Sequence, residues 1–128
     1  MAKGTLGVIA GLAVWVGIAT VAGVIMRSSW PAYASVADAM TFTLPMMIVR
    51  LGIGAVATLA AGWVTAAITR STLARWLPGV LLLAAFIPQH ISLWQKFPVW
   101  YHLTFLASLI PLNLAGGKIG AFRRATPR

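Results

Sequence analysis

Residues 86–105, FIPQHISLWQKFPVWYHLTF, decide how the rest of the chain is arranged. The stretch holds both histidines and both glutamines of the sequence, together with two of its six tryptophans. An apolar run leads into it and a second apolar run follows it. We therefore predict that the stretch forms the tip of a helical hairpin, where its polar and aromatic side chains gather.

These two apolar runs belong to a set of four, each long enough to cross a membrane. A transmembrane helix needs about 20 predominantly apolar residues, and the four runs cover about 5–26, 44–69, 73–93 and 99–114. Only 9% of the residues are charged, whereas a soluble domain carries about 25%. The sequence therefore predicts an all-α integral membrane protein in which residues 1–128 form a single transmembrane domain.

The first apolar run also has the pattern of a secretory signal peptide that would be cleaved near residue 22. Its apolar core of about 22 residues exceeds the ~7–15 residues of a usual signal core. We therefore expect an uncleaved first helix.

The charged residues predict the orientation of the helices. Cytoplasmic loops of membrane proteins carry an excess of Lys and Arg. This rule predicts a multi-pass protein of the cell inner membrane with both termini in the cytoplasm, a basic cytoplasmic tail at 118–128, and an outer loop at 28–43. The basic residues on the predicted cytoplasmic side are Lys3, Arg70, Arg75, Lys118, Arg123, Arg124 and Arg128.

The outer loop contains the pattern of a helix start. Ser35 and Asp38 have the spacing of a capping box, in which the serine accepts a backbone N–H and the acid lies in the first turn. We expect a short interfacial helix on the outer face at about 36–43. Pro45 then separates it from the second spanning helix.

Small residues recur every four positions in two of the helices. In lipid, such stripes let helix backbones approach closely. We expect them to pack helices at the centre of the bundle or at an oligomer interface. The residues are Gly7 and Gly11 in the first helix and Gly54, Thr58 and Gly62 in the second.

Seven polar or aromatic residues are candidates for binding a ligand or a partner at the outer side. Arg50 lies inside the second spanning helix, and an intramembrane charge is a functional-site hypothesis by default. The alternatives are that Arg50 reaches the outer interface or pairs with Asp38, the only acid in the sequence. The seven candidates are Asp38, Arg50, His90, Trp94, Trp100, Tyr101 and His102.

The two histidines leave several interpretations open. They fall at matching depths on neighbouring helices, so they can approach each other. They are interfacial hydrogen-bonding residues, ligands of a polar molecule or a quinone headgroup, metal ligands with Asp38 or Met40, or axial ligands of a b-type haem. We favour the first interpretation, and we expect no catalytic site, no metal and no cofactor.

The function expected from the sequence is that of a small non-enzymatic accessory or assembly subunit of a larger inner-membrane complex. The sequence has no cysteine and one acid, which excludes thiolate chemistry and acid–base catalysis by paired carboxylates. The alternative is an oligomeric transporter, channel or lipid-handling protein that uses Arg50. A haem, quinone or metal protein that uses His90 and His102 is less favoured.

The expected partners are membrane lipids and either other membrane-protein subunits or further copies of the chain. Most of the basic residues lie outside the apolar runs, where they orient helices and meet anionic headgroups. We therefore expect no nucleic acid to bind, despite the net charge of +9.

Overall fold

The computed structural model describes residues 2–125 as a bundle of helices. The elements are α1 (Ala2–Ser29), α2 (Pro31–Ala37), α3 (Leu44–Ile68), α4 (Thr72–Ser92), a 3-10 turn (Trp94–Lys96) and α5 (Val99–Ala125). Helices α1, α3, α4 and α5 are long and apolar enough to span a membrane, and no strand occurs between residues 2 and 125. The prediction of an all-α membrane protein with four spanning helices is confirmed.

The four long helices alternate in direction, so that the bundle has two different ends. At one end Gly4 lies against Ala74, and Gly120 lies against Trp63 and Ala66. We call this the basic end; it is formed by residues 2–7, 63–75 and 116–125. The opposite end, formed by residues 23–50 and 86–105, is called the aromatic end.

Helix α3 lies at the centre of the bundle because its small residues admit its neighbours. A Cβ at Gly62 would overlap the carbonyl oxygen of Asn113 in α5, and a Cβ at Gly54 would press on Phe105. On the α1 side, Gly7 and Gly11 lie against Thr65. The small residues are therefore used within this chain, between α3 and its neighbours.

Polar side chains join α1 to α3 at two levels. The Trp15 indole N–H donates to the Thr58 hydroxyl at 3.0 Å, and this hydroxyl donates to the Gly54 carbonyl at 2.6 Å. Closer to the basic end, the Thr65 hydroxyl shares its hydrogen between the Ala61 carbonyl of its own helix at 2.8 Å and the Gly7 carbonyl of α1 at 3.1 Å. These bonds satisfy buried polar groups that lipid cannot hydrate.

The predicted position of the short helix, 36–43, is wrong. Helix α2 lies earlier, at Pro31–Ala37, with Pro31 in its first turn, where proline is favoured because its fixed φ suits a helix start. The Ser35 hydroxyl does not cap a helix and instead donates to the Ala32 carbonyl at 2.8 Å. Asp38 follows the last residue of α2.

The last spanning helix extends well beyond the expected end at residue 114. The apolar run ends at about residue 114, but α5 continues to Ala125. Gly116 serves close packing, because a Cβ there would overlap the Leu59 carbonyl oxygen of α3. The expected tail at 118–128 is therefore helical as far as residue 125, and its last three residues lie outside the described part of the chain.

Candidate functional site: a cationic cavity at the aromatic end

A cavity of about 200 Å³ lies at the aromatic end. Trp15 of α1 touches Phe86 of α4, with 5.1 Å between ring centroids. Both rings form part of the cavity wall, and Arg50 and His90 contribute polar groups to it. The residues that line it are Trp15, Ala19, Gly23, Met26, Tyr33, Met40, Arg50, Ile53, Gly54, Phe86, Gln89, His90, Leu93, Phe97, Tyr101 and Phe105.

Arg50 is held by two tyrosines that come from different elements. Its Nη1 donates to the Tyr33 hydroxyl of α2 at 2.7 Å, and its Nε donates to the Tyr101 hydroxyl of α5 at 3.3 Å. The guanidinium carbon lies 4.6 Å from the centre of the Phe42 ring and 5.9 Å from that of Phe97. The guanidinium is therefore fixed in place at the cavity wall and does not extend freely to the membrane surface.

Within residues 2–125 the charge of Arg50 has no carboxylate partner. Asp38 is the only acidic residue in the sequence, and its side chain pairs with Arg27 at 3.1 Å. That ion pair is exposed, with 92% of the Asp38 side chain accessible. The single acid of the chain therefore lies in a surface ion pair with a different arginine, and Arg50 faces the cavity as an uncompensated cation.

A series of stacked rings surrounds Arg50 and fixes its position. Ring stacking of this kind adds about 0.5–1.5 kcal/mol per pair beyond area burial. The series joins α2, the loop that follows it and α5, so that elements remote in sequence meet at one wall. The successive rings are Trp30, Tyr33, Phe42, Phe97 and Tyr101, with His90 and Phe105 beyond them.

The two histidines form a direct hydrogen bond. The Nδ1 atoms of His90 and His102 are 2.7 Å apart, and Nε2 of His102 lies 3.2 Å from the Trp94 carbonyl oxygen. The His102 ring also stacks on Trp94, with 4.6 Å between centroids. His102 is fully buried, whereas His90 is buried but lines the cavity.

This histidine geometry does not suit a metal held between the two rings. Metal–nitrogen bonds are about 2.0–2.1 Å long, so two nitrogens on one tetrahedral metal lie about 3.3 Å apart. The two facing nitrogens, 2.7 Å apart, are closer than this and form a hydrogen bond instead. Within residues 2–125 no group of three His, Cys, Asp or Glu side chains is placed to hold a metal ion.

The structure brings four of the seven sequence candidates together. Arg50, His90 and Tyr101 line the cavity. His102 does not line it but forms a hydrogen bond with His90. Trp94 packs on His102 outside the cavity. Asp38 and Trp100 are exposed and do not line the cavity.

Four residues that hold the site together, Trp15, Tyr33, Phe42 and Phe97, are absent from the seven sequence candidates. Tyr33, Phe42 and Phe97 surround Arg50, but their contacts join separate elements and leave no periodic signal in the sequence. The position of Trp15 in the sequence could have indicated its role. Tryptophans of membrane proteins concentrate at the interfaces, so one at the middle of an apolar helix suggests a hydrogen-bonding role.

No protein-family model, curated protein or solved structure matches the chain. Its function is therefore inferred from the geometry of this cavity.

Proposed function

We propose that the protein is a non-enzymatic, lipid-handling membrane protein that binds an amphipathic molecule by its anionic headgroup in this cavity. One observation carries the proposal: Arg50, in a spanning helix, lines the cavity without a carboxylate partner. A ligand phosphate or carboxylate would supply the missing negative charge.

The reason is the free energy of partly burying a charge, because Arg50 is half-buried. An unpaired cation away from water is costly, because protein groups replace only part of its hydration. A cation–π contact supplies about 0.5–2 kcal/mol, which offsets only part of that cost. An anion in the cavity would add charge-assisted hydrogen bonds, which are roughly twice as strong as neutral ones.

Hydrogen-bonding capacity favours an anion as well. A guanidinium carries five N–H donors, and two hydrogen bonds from Arg50 are made within residues 2–125. Each tyrosine hydroxyl accepts from Arg50 and keeps its own hydrogen for a further acceptor. The cavity wall around Arg50 is therefore rich in donors, which suits the oxygens of a phosphate.

The position of the cavity favours an amphipathic ligand. Helices α1 and α4 both contribute to its lining, together with α2, α3 and α5, and a Cβ at Gly23 of α1 would meet nothing within 4 Å. A cavity of about 200 Å³ is smaller than the ~300–1,000 Å³ of pockets that enclose a whole drug-sized ligand. It suits a headgroup whose apolar chains remain outside, along α1 and α4.

The location and orientation belong to the same proposal. We infer that the protein lies in the cell inner membrane, with the basic end in the cytoplasm and the aromatic end outside. The distribution of basic residues supports this, because Lys3, Arg70, Arg75, Lys118 and Arg123 all belong to the basic end. The headgroup would then bind from the outer leaflet.

The accessory-subunit hypothesis stays a prediction from the sequence. It relied in part on Gly54, Thr58 and Gly62 as a surface for a second protein, and these residues pack against helices of their own chain. The hypothesis now depends on exposed aromatic side chains such as Trp94 and Trp100.

Analysis of the lipids that co-purify with the protein tests the proposed function. We expect the wild-type protein, extracted in mild detergent, to retain an anionic amphiphile in stoichiometric amount. Arg50→Gln should lose it, and Arg50→Lys should retain part of it, since a lysine keeps the charge but lacks the guanidinium fork. Arg27→Gln is the matched control, because Arg27 is a cation of the same end that is already paired.

The outcomes separate the alternatives. Equal anionic lipid in the wild type and in Arg50→Gln, with both proteins folded, would show that Arg50 has only a structural role and would contradict the proposal. A neutral quinone recovered in stoichiometric amount would also contradict it. Stoichiometric recovery of other membrane proteins without lipid would favour the accessory-subunit hypothesis.

A further inference from the structure

The hydrogen bonds of His102 determine which of its ring nitrogens carries a proton. A backbone carbonyl only accepts, so Nε2 of His102 is the donor to the Trp94 carbonyl. His102 is fully buried, and the single acidic side chain of the sequence is paired with Arg27. Within the described residues no carboxylate lies beside the ring to balance a second ring proton, so its Nδ1 is assigned as the acceptor.

The state of His90 follows from that of His102. Because Nδ1 of His102 accepts, Nδ1 of His90 carries the hydrogen of the 2.7 Å bond between them. A neutral imidazole with its proton on Nδ1 has a lone pair on Nε2. No other residue of the described chain hydrogen-bonds to His90. His90 lines the cavity, whereas His102, which occupies its Nδ1 edge, does not. The Nε2 edge with its lone pair is therefore the edge of His90 that remains for a ligand.

The cavity therefore presents two complementary groups. Arg50, Tyr33 and Tyr101 form a wall of donors, and His90 offers an acceptor in the same cavity. A bare anion satisfies only the donors. A headgroup with an anion and a nearby hydroxyl satisfies both.

We propose that the ligand is a phosphate ester with a free hydroxyl close to the phosphate, as in a glycerol-type headgroup, and that His90 Nε2 accepts a hydrogen bond from this hydroxyl. This proposal rests on the function proposed above and adds the chemical class of the headgroup. His102 is a positioning residue, since it fixes the proton of His90 without touching the ligand.

Two synthetic lipids of equal charge test the inference. Phosphatidylglycerol carries free hydroxyls on its headgroup, whereas phosphatidylpropanol with the same acyl chains carries none. We expect native mass spectrometry of the wild-type protein to show about fivefold to tenfold tighter binding of phosphatidylglycerol, the effect of one hydrogen bond. Both lipids should bind more tightly than phosphatidylcholine, because both are anionic.

Variants of His90 and His102 test whether the preference for phosphatidylglycerol comes from Nε2 of His90. His90→Phe removes the acceptor and should reduce the preference for phosphatidylglycerol to within twofold, while the Arg50-dependent preference for anionic lipids persists. His102→Phe leaves His90 in place but no longer fixes its proton, so the preference should fall only in part. Both variants need an unchanged helical circular dichroism spectrum, and the ratio of two lipids on one variant does not depend on the folded fraction.

A soluble competitor distinguishes two sources of the same chemistry. If glycerol 3-phosphate displaces the lipid at a concentration close to the lipid's own dissociation constant, the ligand is a soluble ester. If it displaces the lipid only at far higher concentration, the ligand is a lipid headgroup. Either result supports the recognition of a hydroxylated phosphate.

Equal binding of the two anionic lipids by the wild type would overturn this inference but leave the proposed function intact, provided that both bind through Arg50. Equal binding of anionic and zwitterionic lipids, unaffected by Arg50→Gln, would overturn the proposed function itself. An unchanged preference in His90→Phe would overturn the role of His90 alone.

Discussion

Replacing Gly62 by alanine tests the packing at the centre of the bundle. The added Cβ would overlap the carbonyl oxygen of Asn113 and approach the backbone nitrogen of Gly117 at 3.0 Å. Both atoms belong to the α5 backbone, so no flexible side chain can rotate away. Helices α3 and α5 must separate instead.

The expected cost follows from two opposing effects. A separation of 0.5–1 Å forfeits about a quarter to a half of the dispersion energy between facing atoms, and overpacking of this kind costs about 1–3 kcal/mol. Alanine in a helix offsets about 0.5–1 kcal/mol of that, because it loses less backbone entropy than glycine. We expect Gly62→Ala to lower the free energy of unfolding by about 1 kcal/mol, the difference between the middle values of the two ranges.

Gly52→Ala is the matched control, because Gly52 lies in the same helix and nothing lies within 4 Å of its added Cβ. Thermal or denaturant unfolding in one detergent, followed by circular dichroism, gives both values. We expect Gly52→Ala to be neutral or slightly stabilising and Gly62→Ala to unfold at lower temperature. Equal stability of the two variants would refute the close approach of α3 to α5.

Three further changes address single contacts. Trp15→Phe removes the hydrogen bond to Thr58 and should lower the free energy of unfolding by about 1 kcal/mol, as measured by the same unfolding assay; an unchanged value would contradict that bond. Asp38→Asn breaks an exposed ion pair with Arg27, so we expect a change within about 0.5 kcal/mol in that assay, and a larger loss would mean that the pair is buried. Gly23→Leu places a side chain where the cavity wall is open, so lipid binding measured by native mass spectrometry should weaken without loss of stability, and unchanged binding would argue against entry between α1 and α4.

The spanning helices could be predicted because the bilayer imposes a strong constraint on composition and length. Every backbone polar group in lipid must be satisfied internally, so a long apolar run becomes a helix whatever packs beside it. The hairpin around residues 86–105 follows from the same constraint, and the 3-10 turn at Trp94–Lys96 lies within it. The direct contact of His90 with His102 agrees with their matching depths on neighbouring helices.

The bounds of α2 and the end of α5 could not be predicted, because different residues in these segments indicate different helix ends. The Ser35–Asp38 spacing suggested a helix start, yet Pro31 begins the short helix one turn earlier. The fourth apolar run ends at about residue 114, yet α5 continues past Gly116, whose lack of a side chain serves the contact with Leu59. A glycine can end a helix or allow a neighbouring helix to pack closely, and the local sequence is the same in both cases. Only the tertiary contact distinguishes these two roles.

The hydrogen-bond partners of Arg50 also could not be predicted from the sequence. The sequence offered Asp38 as the single acid, and the structure places that acid with Arg27 instead. Tyr33 and Tyr101 take its place at distances of 2.7 and 3.3 Å. Because tyrosines near a membrane interface are common, nothing in their local sequence marks these two as partners of a cation.

The most direct test of the central claim is a titration of the wild type, Arg50→Gln and Arg27→Gln with an anionic and a zwitterionic lipid of identical chains. Native mass spectrometry would report the dissociation constant of each lipid. The charge-assisted hydrogen bonds of Arg50 predict that Arg50→Gln weakens anionic lipid binding about tenfold or more. Zwitterionic binding should weaken less, because the ammonium of that headgroup already neutralises its phosphate, and Arg27→Gln should stay within twofold of the wild type for both lipids. Equal loss in both variants, or no loss in either, would contradict the assignment of Arg50 as the anion-binding residue.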